Sequence, residues 1–376
     1  MGVDTRLGDC LEVLKEVPAD SATLVYLDPP FFTQKSHRLT NKSRTKSFEF
    51  DDTWESREEY AEFLRLRLWE CLRVLSPKGS LFFHCDRQAA HVARLVLEDV
   101  FGESNFQSEI IWYYRRWSNS SRGLLPAHQN IYFFSKGKDF KFNAQFQAYS
   151  ASTNVDQILQ KRERDTDGKS RYRRGPDGEV ISGGGKKGVP LGDVWDIPYL
   201  NPKAKERVGY PTQKPIVLLE RIIKLVTDPG DLVIDPFCGS GTTLVAAQFL
   251  GRNGLGIDRS KDAVELAKQR LSDPVRTSSN LLKVGRDAYC SADEKLLAQL
   301  AELSFAPVHR NKGIDAILAD SFEGAPVTIR FQRRGESILE AAAALEKASK
   351  TKQALRKILV AFGDRSGFVA PAGMLS

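Results

Sequence analysis

The stretch DLVIDPFCGSGTT, residues 231–243, constrains this chain more than any other because it changes character twice within one short run. An apolar, β-branched segment ends at Asp235, a turn carrying Gly239 and Gly241 follows, and a helix-forming run opens at Thr242. That is the pattern of a buried strand feeding a helix through a tight turn. A second run, TLVYLD from Thr23 to Asp28, is equally apolar and stops at the double proline Pro29–Pro30, so it also reads as a buried strand. Helical spacing is found over Arg57–Leu75, Arg87–Phe101, Pro215–Val226, Thr242–Leu250 and Lys261–Leu271. Strand-like runs lie at Ser80–His84, Glu109–Tyr114, Asn130–Phe134 and in GLGID, which ends at Asp258.

Strands that alternate with helices imply an α/β fold, a Rossmann-like doubly wound and mostly parallel sheet. The chain has 376 residues, more than one core usually needs, so two units are expected. Residues 1–276 carry the alternating pattern, and residues 277–376 read as a small α/β appendage. Within the first unit, residues 32–54 are polar and basic without a period and read as a mobile loop. From about 111 to 210 the pattern thins into a loop-rich insertion. That insertion holds 18 Lys or Arg against 10 Asp or Glu, which accounts for the whole formal charge of +7 and favours a polyanionic partner.

The remaining bulk properties mainly exclude. Hydrophobic residues are 41% and charged residues 27%, the composition of a globular protein rather than a disordered or membrane one. No apolar run is long enough to span a bilayer. The start MGVDTRLGDC lacks the basic and apolar regions of an export signal, and Arg6 stands where a myristoylation pattern needs Ser or Thr. A cytoplasmic protein is expected, with its five scattered cysteines as reduced thiols.

The glycine turn suits a ligand that must approach backbone closely, and Asp258 ends the next strand 17 residues after Gly241. An acid so placed accepts hydrogen bonds from both hydroxyls of a ribose, which points to an adenosine-containing cofactor. No GK[ST] follows the glycines, so the turn is not a phosphate loop, and the third glycine of the dinucleotide fingerprint is missing. Taken alone, the turn is equally a device for packing a helix on a strand.

Asp28, Pro29 and Pro30 make a different kind of strand end. Neither proline has an N–H, and each holds the preceding residue extended, so the segment offers acceptors with few competing donors. An exocyclic amine brings two N–H donors and a lone pair delocalised into its ring. Accepting both hydrogens on Asp28 Oδ and the Pro29 carbonyl draws the nitrogen toward tetrahedral geometry and frees that lone pair for attack on a methyl sulfonium. Phe31 follows as a stacking surface, and a base treated this way must first leave the duplex. Read without chemistry, the two prolines only stop a strand.

In this order, DPPF at Asp28, PTQKP at Pro211 and DPFCGSGTT at Asp235 resemble the β class of S-adenosylmethionine-dependent DNA amino-methyltransferases, over roughly residues 4–272. The resemblance implies a class I methyltransferase fold that transfers a methyl group from S-adenosylmethionine to a flipped-out base in double-stranded DNA. It also implies roles for residues. GDCLEVL brings Asp9 and Cys10 to the cofactor adenine; Thr212 and Lys214 face the methionine end; Asp235, Phe237, Gly239, Gly241 and Thr242 form the methionine-binding turn; Asp258 is the ribose acid. The basic insertion becomes the target recognition region, and a cognate restriction endonuclease becomes a candidate partner. The aromatic-basic segment YYRRW, Tyr113–Trp117, reads equally as a DNA contact through Arg115 and Arg116 or as a cover for the core edge. In this family an aspartate before the two prolines is usual for adenine N6 and a serine for cytosine N4, so adenine is expected, with cytosine N4 as the alternative. Phe31 stands where tyrosine is commoner.

Two further readings stay open at this level: a nicotinamide oxidoreductase on a similar sheet, which leaves DPPF unexplained, and a DNA-binding subunit without catalysis. His84, Cys85 and Asp86 stand together without a second cluster at metal spacing, so no metal is expected. Cys238 reads as a packing residue of the turn. In the appendage, Asp315 ahead of Gln332 and Arg333 faintly resembles a restriction-type nuclease core, but Arg330, Gln332 and Arg333 occupy the second strand and no second acid stands where a metal needs one. A catalytically silent appendage is expected.

Overall fold

The computed structural model describes residues 2–40, 47–114, 122–147, 160–181, 183, 188–201, 204–210, 212–277, 294–309 and 311–361. The chain divides into two compact units, Met1–Ser278 and Ser279–Ser376.

The first unit is built on an eight-stranded sheet. Its strands are β1 (Val3–Leu7), β2 (Ala22–Leu27), then, after a separate hairpin of β3 (Lys35–Thr40) and β4 (Ser47–Asp52), β5 (Leu75–Cys85), β6 (Phe106–Tyr113), β7 (His128–Ser135), β8 (Val194–Asp196), β9 (Leu232–Asp235) and β10 (Asn253–Asp258). The order across the sheet is β1-β10-β9-β2-β5-β7-β6-β8. The first five of these are parallel to one another, β7 runs antiparallel between β5 and β6, and β8 is parallel to β6.

Alternation along the buried strands divides the core in two, as the period of a strand requires. Val25 and Leu27 of β2 and Ile234 of β9 face a core that holds Leu14, Leu64, Leu68 and Leu97, from helices α1 (Cys10–Lys15), α2 (Arg57–Val74) and α3 (Ala90–Phe101). Leu24 and Tyr26 of β2 and Val233 of β9 face the opposite core, with Leu218, Ile222 and Val245 from helices α4 (Ile216–Val226) and α5 (Thr242–Phe249). The helix α6 (Lys261–Ser272) completes the unit. Its start is capped by Ser260, whose side chain accepts from the Ala263 amide. α3 begins at Ala90 rather than Arg87 because the Asp86 carboxylate takes the amides of Gln88 and Ala89, which holds those residues in a turn.

Two sequence-level readings need adjustment. Residues 32–54 contain the β3–β4 hairpin, paired from Lys35↔Asp52 to Thr40↔Ser47, instead of a mobile loop. Its polar, basic composition hides the pattern from the sequence. In the basic stretch 111–210, β7 and β8 are strands of the central sheet, hydrogen-bonded to either side of β6. The longest departure from the sheet is the segment between them. There, among the described residues, Arg162–Arg164 pairs with Ser170–Tyr172 and Phe146–Gln147 with Val189–Pro190.

The second unit has four strands, β11 (Phe305–Pro307), β12 (Ala316–Leu318), β13 (Val327–Phe331) and β14 (Arg356–Val360), in that order, with only the last pair parallel. A longer helix, Ile338–Lys350, connects β13 to β14 and starts with a capping box between Ser337 and Glu340. The buried Asp315 carboxylate accepts from the Phe331 amide and pairs with Arg333, while Glu336 holds Arg330 and the Arg333 amide. Its oxygens are thus already engaged by protein donors.

The first unit ends in two contacts that close it. Glu206, buried, accepts the amides of Ile216 and Thr277, and Glu220, with a side chain 3% exposed, pairs with Arg276. A chain ending at Ser278 keeps both, whereas one ending at Asp273 strips both carboxylates of a partner. Orphaning a buried carboxylate costs several kcal/mol when both partners are buried; Arg276 is half exposed, so the loss here should be smaller, about 2 kcal/mol. Urea unfolding of the two truncated chains should place the shorter one at the lower midpoint; equal midpoints would show that these contacts do not close the domain.

Candidate active site

Four acids arrive at one place because parallel strands end together. β1 leads into Asp9, β2 into Asp28, and β9 and β10 finish on Asp235 and Asp258. The crevice outside these carboxyl ends is a cavity of about 830 Å³, lined by all four.

At its centre, Asp28 has two unlike oxygens. Oδ2 is held by the Lys214 ammonium, whereas Oδ1 is buried and without a hydrogen-bond partner. Burial raises the carboxyl above its ordinary range and Lys214 opposes that rise. The two proline carbonyls differ in the same way. The Tyr60 hydroxyl donates to the Pro30 carbonyl at 2.8 Å, and among the described residues no donor meets that of Pro29. Phe31 lies beside them, its ring 6.0 Å from the His84 ring and 5.3 Å from Lys214 Nζ.

The Asp28 segment is fixed from behind by Asp52. One carboxylate accepts the amides of Phe31, Phe32 and Thr33 at 3.2, 2.9 and 2.8 Å, the Thr33 hydroxyl, and the Trp54 indole N–H. Gathering three consecutive amides on one acid turns the chain sharply, and Phe32 takes a φ of 59°, a costly conformation for a residue with a Cβ. The rigidity of the prolines thus continues through Thr33.

On the other side, the glycine turn is tied to the acid that follows it. Asp258 accepts the Gly239 amide through Oδ2 and the Ser260 amide through Oδ1, both at 2.8 Å. Gly239 has a φ of 48°, and a Cβ there would lie 3.0 Å from the Tyr210 ring, so only glycine lets the turn and that ring approach. Gly241 serves packing: it does not line the cavity, and its Cβ would meet Ala267 of α6 at 2.8 Å. Arg270, buried at the end of α6, donates to the Ser240 carbonyl at 2.6 Å and to the Ser240 and Thr242 hydroxyls at 3.0 Å. Burial brings Arg270 down to about 10 and lifts Asp235 to about 7, against opposing hydrogen bonds from Thr243 and the Phe237 amide.

At the far end, Asp9 caps α1 by accepting the Leu11 amide, and both its oxygens lie 2.9 Å from Arg67 Nη2. The Arg67 guanidinium stacks 3.7 Å over Phe63, whose ring is 6.2 Å from Phe237. Burial lifts the Cys10 thiol to about 11 and the Cys238 thiol well above its ordinary value, so neither is a nucleophile at neutral pH.

Every residue that the sequence singled out for catalysis or cofactor lines this cavity, except Gly241 and the pair Arg115 and Arg116, which lie outside the described residues. The sequence gives little reason to single out Asp52, Tyr60, Arg67, Tyr210 or Arg270. Asp52 alone carries a faint signal, as one of the first acids after the wholly basic run Lys35–Lys46. His84, set aside as structural, sits 4.0 Å from Asp28 Oδ1 through Nδ1. Among the described residues, no group of three or more His, Cys, Asp or Glu could hold a metal, and no helix is long and apolar enough to cross a membrane.

Comparison with known proteins agrees with this geometry. A family model described as DNA methylase matches residues 22–269. The type II methyltransferase M.HpaI of Haemophilus parainfluenzae is 31% identical over 274 residues, covering 72% of this chain and 74% of that protein. M.HinfI of Haemophilus influenzae, also a type II methyltransferase, is 29% identical over 278 residues, 71% of this chain and 67% of its own. The DNA adenine methyltransferase YhdJ of Escherichia coli K12 is 29% identical over 272 residues, 70% of this chain and 81% of its own. With two thirds of its length matched by the family model and a relative above 30% identity, the chain belongs to the DNA methylase family.

Proposed function

We propose that this enzyme methylates N6 of an adenine flipped out of double-stranded DNA, with Asp28 as the acceptor of the reacting amine. The reading is carried by one observation: Asp28 Oδ1 is buried, unpartnered and beside the open Pro29 carbonyl. A buried acceptor without a donor is costly, and an amine with two N–H groups satisfies both acceptors at once.

The family uses S-adenosylmethionine, which supplies a methyl group on an electrophilic sulfonium. The cavity fits such a molecule on its chemistry. Asp258, Gly239 and Ser260 form the ribose end, Asp235, Phe237 and Thr242 with Thr212 form the amino-acid end, and Asp9, Cys10 and Phe63 flank the adenine end. The Lys214 ammonium favours the carboxylate form of Asp28, in which Oδ1 accepts one amine hydrogen while the Pro29 carbonyl accepts the other. Loss of amide-like planarity at the nitrogen then exposes its lone pair. Once the nitrogen has taken the methyl group it carries a positive charge. Asp28 Oδ1 is in place to take the surplus proton: an N–H bond breaks, an O–H bond forms, and the lone pair returns to the ring. The raised affinity of Asp28 for protons favours that step. Phe31 stacks on the base, and Tyr60 spends its hydroxyl on Pro30 so that the segment cannot swing.

Adenine is favoured over cytosine N4 by the aspartate at position 28 and by the relative named for adenine methylation. Arg115, Arg116 and the basic stretch 111–210 bind the duplex as the recognition region, around a catalytic domain of residues 1–276. The unit from 277 onward is a catalytically silent appendage. We read the enzyme as cytoplasmic, with a cognate restriction endonuclease as a candidate partner.

Asp28→Ala should retain S-adenosylmethionine binding in a calorimetric titration while turnover falls by about 10³ or more. Lys214→Met removes the charge that holds Asp28 down, so the acid limb of kcat/KM should move to higher pH. A wild-type rate in the first variant, or an unmoved limb in the second, would overturn these roles. Nuclease digestion and mass spectrometry of methylated DNA should yield N6-methyladenine, and N4-methylcytosine as main product would replace adenine as the target. Replacing Arg115 and Arg116 together by Ala should weaken DNA binding and make the plot of log affinity against log salt shallower by about 1–2. An unchanged slope would put the phosphates elsewhere.

A further inference from the structure

The floor of the cavity contains a hydrogen-bonded chain that the reaction as described leaves unused. In the sheet, His84 of β5 stands one residue beyond the Leu27↔Phe83 pair, level with Asp28, and its other neighbour is Ile131 of β7. Gln129 lies two residues along β7 from Ile131, and so on the same face, opposite Trp112 of β6. Asp28, His84 and Gln129 therefore form a row across three adjacent strands. The Tyr26 hydroxyl meets His84 Nδ1 at 2.7 Å, and His84 Nε2 meets Gln129 Oε1 at 2.9 Å.

The direction of each bond follows from burial. Tyr26 is 2% exposed and its hydroxyl has no other hydrogen bond, so its proton goes to His84 Nδ1. His84 is fully buried, and burial together with the nearby Lys214 charge keeps its ring neutral. A neutral ring that accepts at Nδ1 must carry its proton at Nε2, and that proton requires an oxygen. Gln129 therefore turns Oε1 to His84 and leaves its Nε2 amide hydrogens to the cavity it lines, where no described residue accepts them.

We propose that Gln129 recognises the target base by donating to the ring nitrogen next to the reacting amine, N1 or N7, with His84 and Tyr26 as the residues that hold its amide in that orientation. This rests on adenine as the target. Two acceptors for an amine beside a donor for a ring nitrogen match adenine, and cytosine through N3, so the set selects amino bases: guanine and thymine present a carbonyl oxygen where the amine should be and are repelled by Asp28. Tyr26 and His84 are positioning residues, since they act through the Gln129 amide. Their joint effect is to translate one buried hydroxyl into the direction of an amide at the reacting edge.

Duplexes carrying the enzyme's own site, with the target adenine replaced by 1-deazaadenine or by 7-deazaadenine, test this on the unaltered protein. One of the two should lose about tenfold or more in kcat/KM, as a site built to hydrogen-bond a group rejects the analogue that lacks it. Gln129→Met should lose a similar factor on ordinary adenine, bind S-adenosylmethionine normally, and lose nothing further on that analogue. In the full-length protein, nitrogen NMR of the histidines should find His84 as the Nε2–H tautomer, and Tyr26→Phe should mix the tautomers and weaken discrimination between adenine and the analogue. Equal wild-type rates on adenine and both analogues would overturn the proposal, as would independent losses from Gln129→Met and the analogue. Formation of N6-methyladenine by the wild-type protein on ordinary DNA reports separately on the target itself, so a failure of the recognition proposal cannot be confused with a failure of the adenine assignment.

Discussion

The ion pair between Lys214 and Asp28 joins segments 186 residues apart and is the contact on which the rest of the cavity turns. Asp28 follows the end of β2, and Lys214 belongs to the segment leading into α4. Both charges are largely removed from water, with side chains 16% and 8% exposed. A buried pair of this kind contributes little net stability, because desolvation offsets most of the attraction, but losing either member leaves an uncompensated charge. What it does supply is asymmetry. It commits one Asp28 oxygen to Lys214 and leaves the other without a partner.

Asymmetry of the same kind recurs around the cavity. Of two proline carbonyls, Tyr60 takes one; of two ends of the Gln129 amide, His84 takes one. Asp258 spends an oxygen on each of two backbone amides and so fixes the turn that precedes it in the chain as well as the helix that follows. Four carboxyl groups in one cavity repel one another, and burial already lifts Asp28, Asp235 and Asp258 toward protonation. A cationic ligand relieves that repulsion, which is why a sulfonium suits the place better than a phosphate-bearing cofactor.

Strand ends were legible in the sequence because their signals are local: an apolar run, an acid, then proline or glycine. Asp28, Asp235 and Asp258 come from such runs and line one cavity. Asp52 was not legible, since its partners are backbone amides some twenty residues upstream, and amides are the same in every sequence. The same holds for Tyr26, His84 and Gln129, which meet through strand register rather than spacing. Strand β8 is three residues long and joins the sheet across β6, too short to leave a period, and the hairpin β3–β4 is polar enough to pass for a loop.

The excursion from Lys136 to Asp193 departs after β7 and returns at β8, the two strands that flank β6. Its ends are thus clamped by backbone hydrogen bonds that do not depend on what lies between them. Doubling such a loop costs only about 0.6 kcal/mol in closure entropy, so the part between Asn143, which is bonded to Thr227, and Leu191, which packs on the core, can change in length while the cavity stays in register. An enzyme assembled this way can lengthen that part of the excursion without rebuilding the row from Asp28 to Gln129, because the strands on either side of it are held by β6 and not by one another.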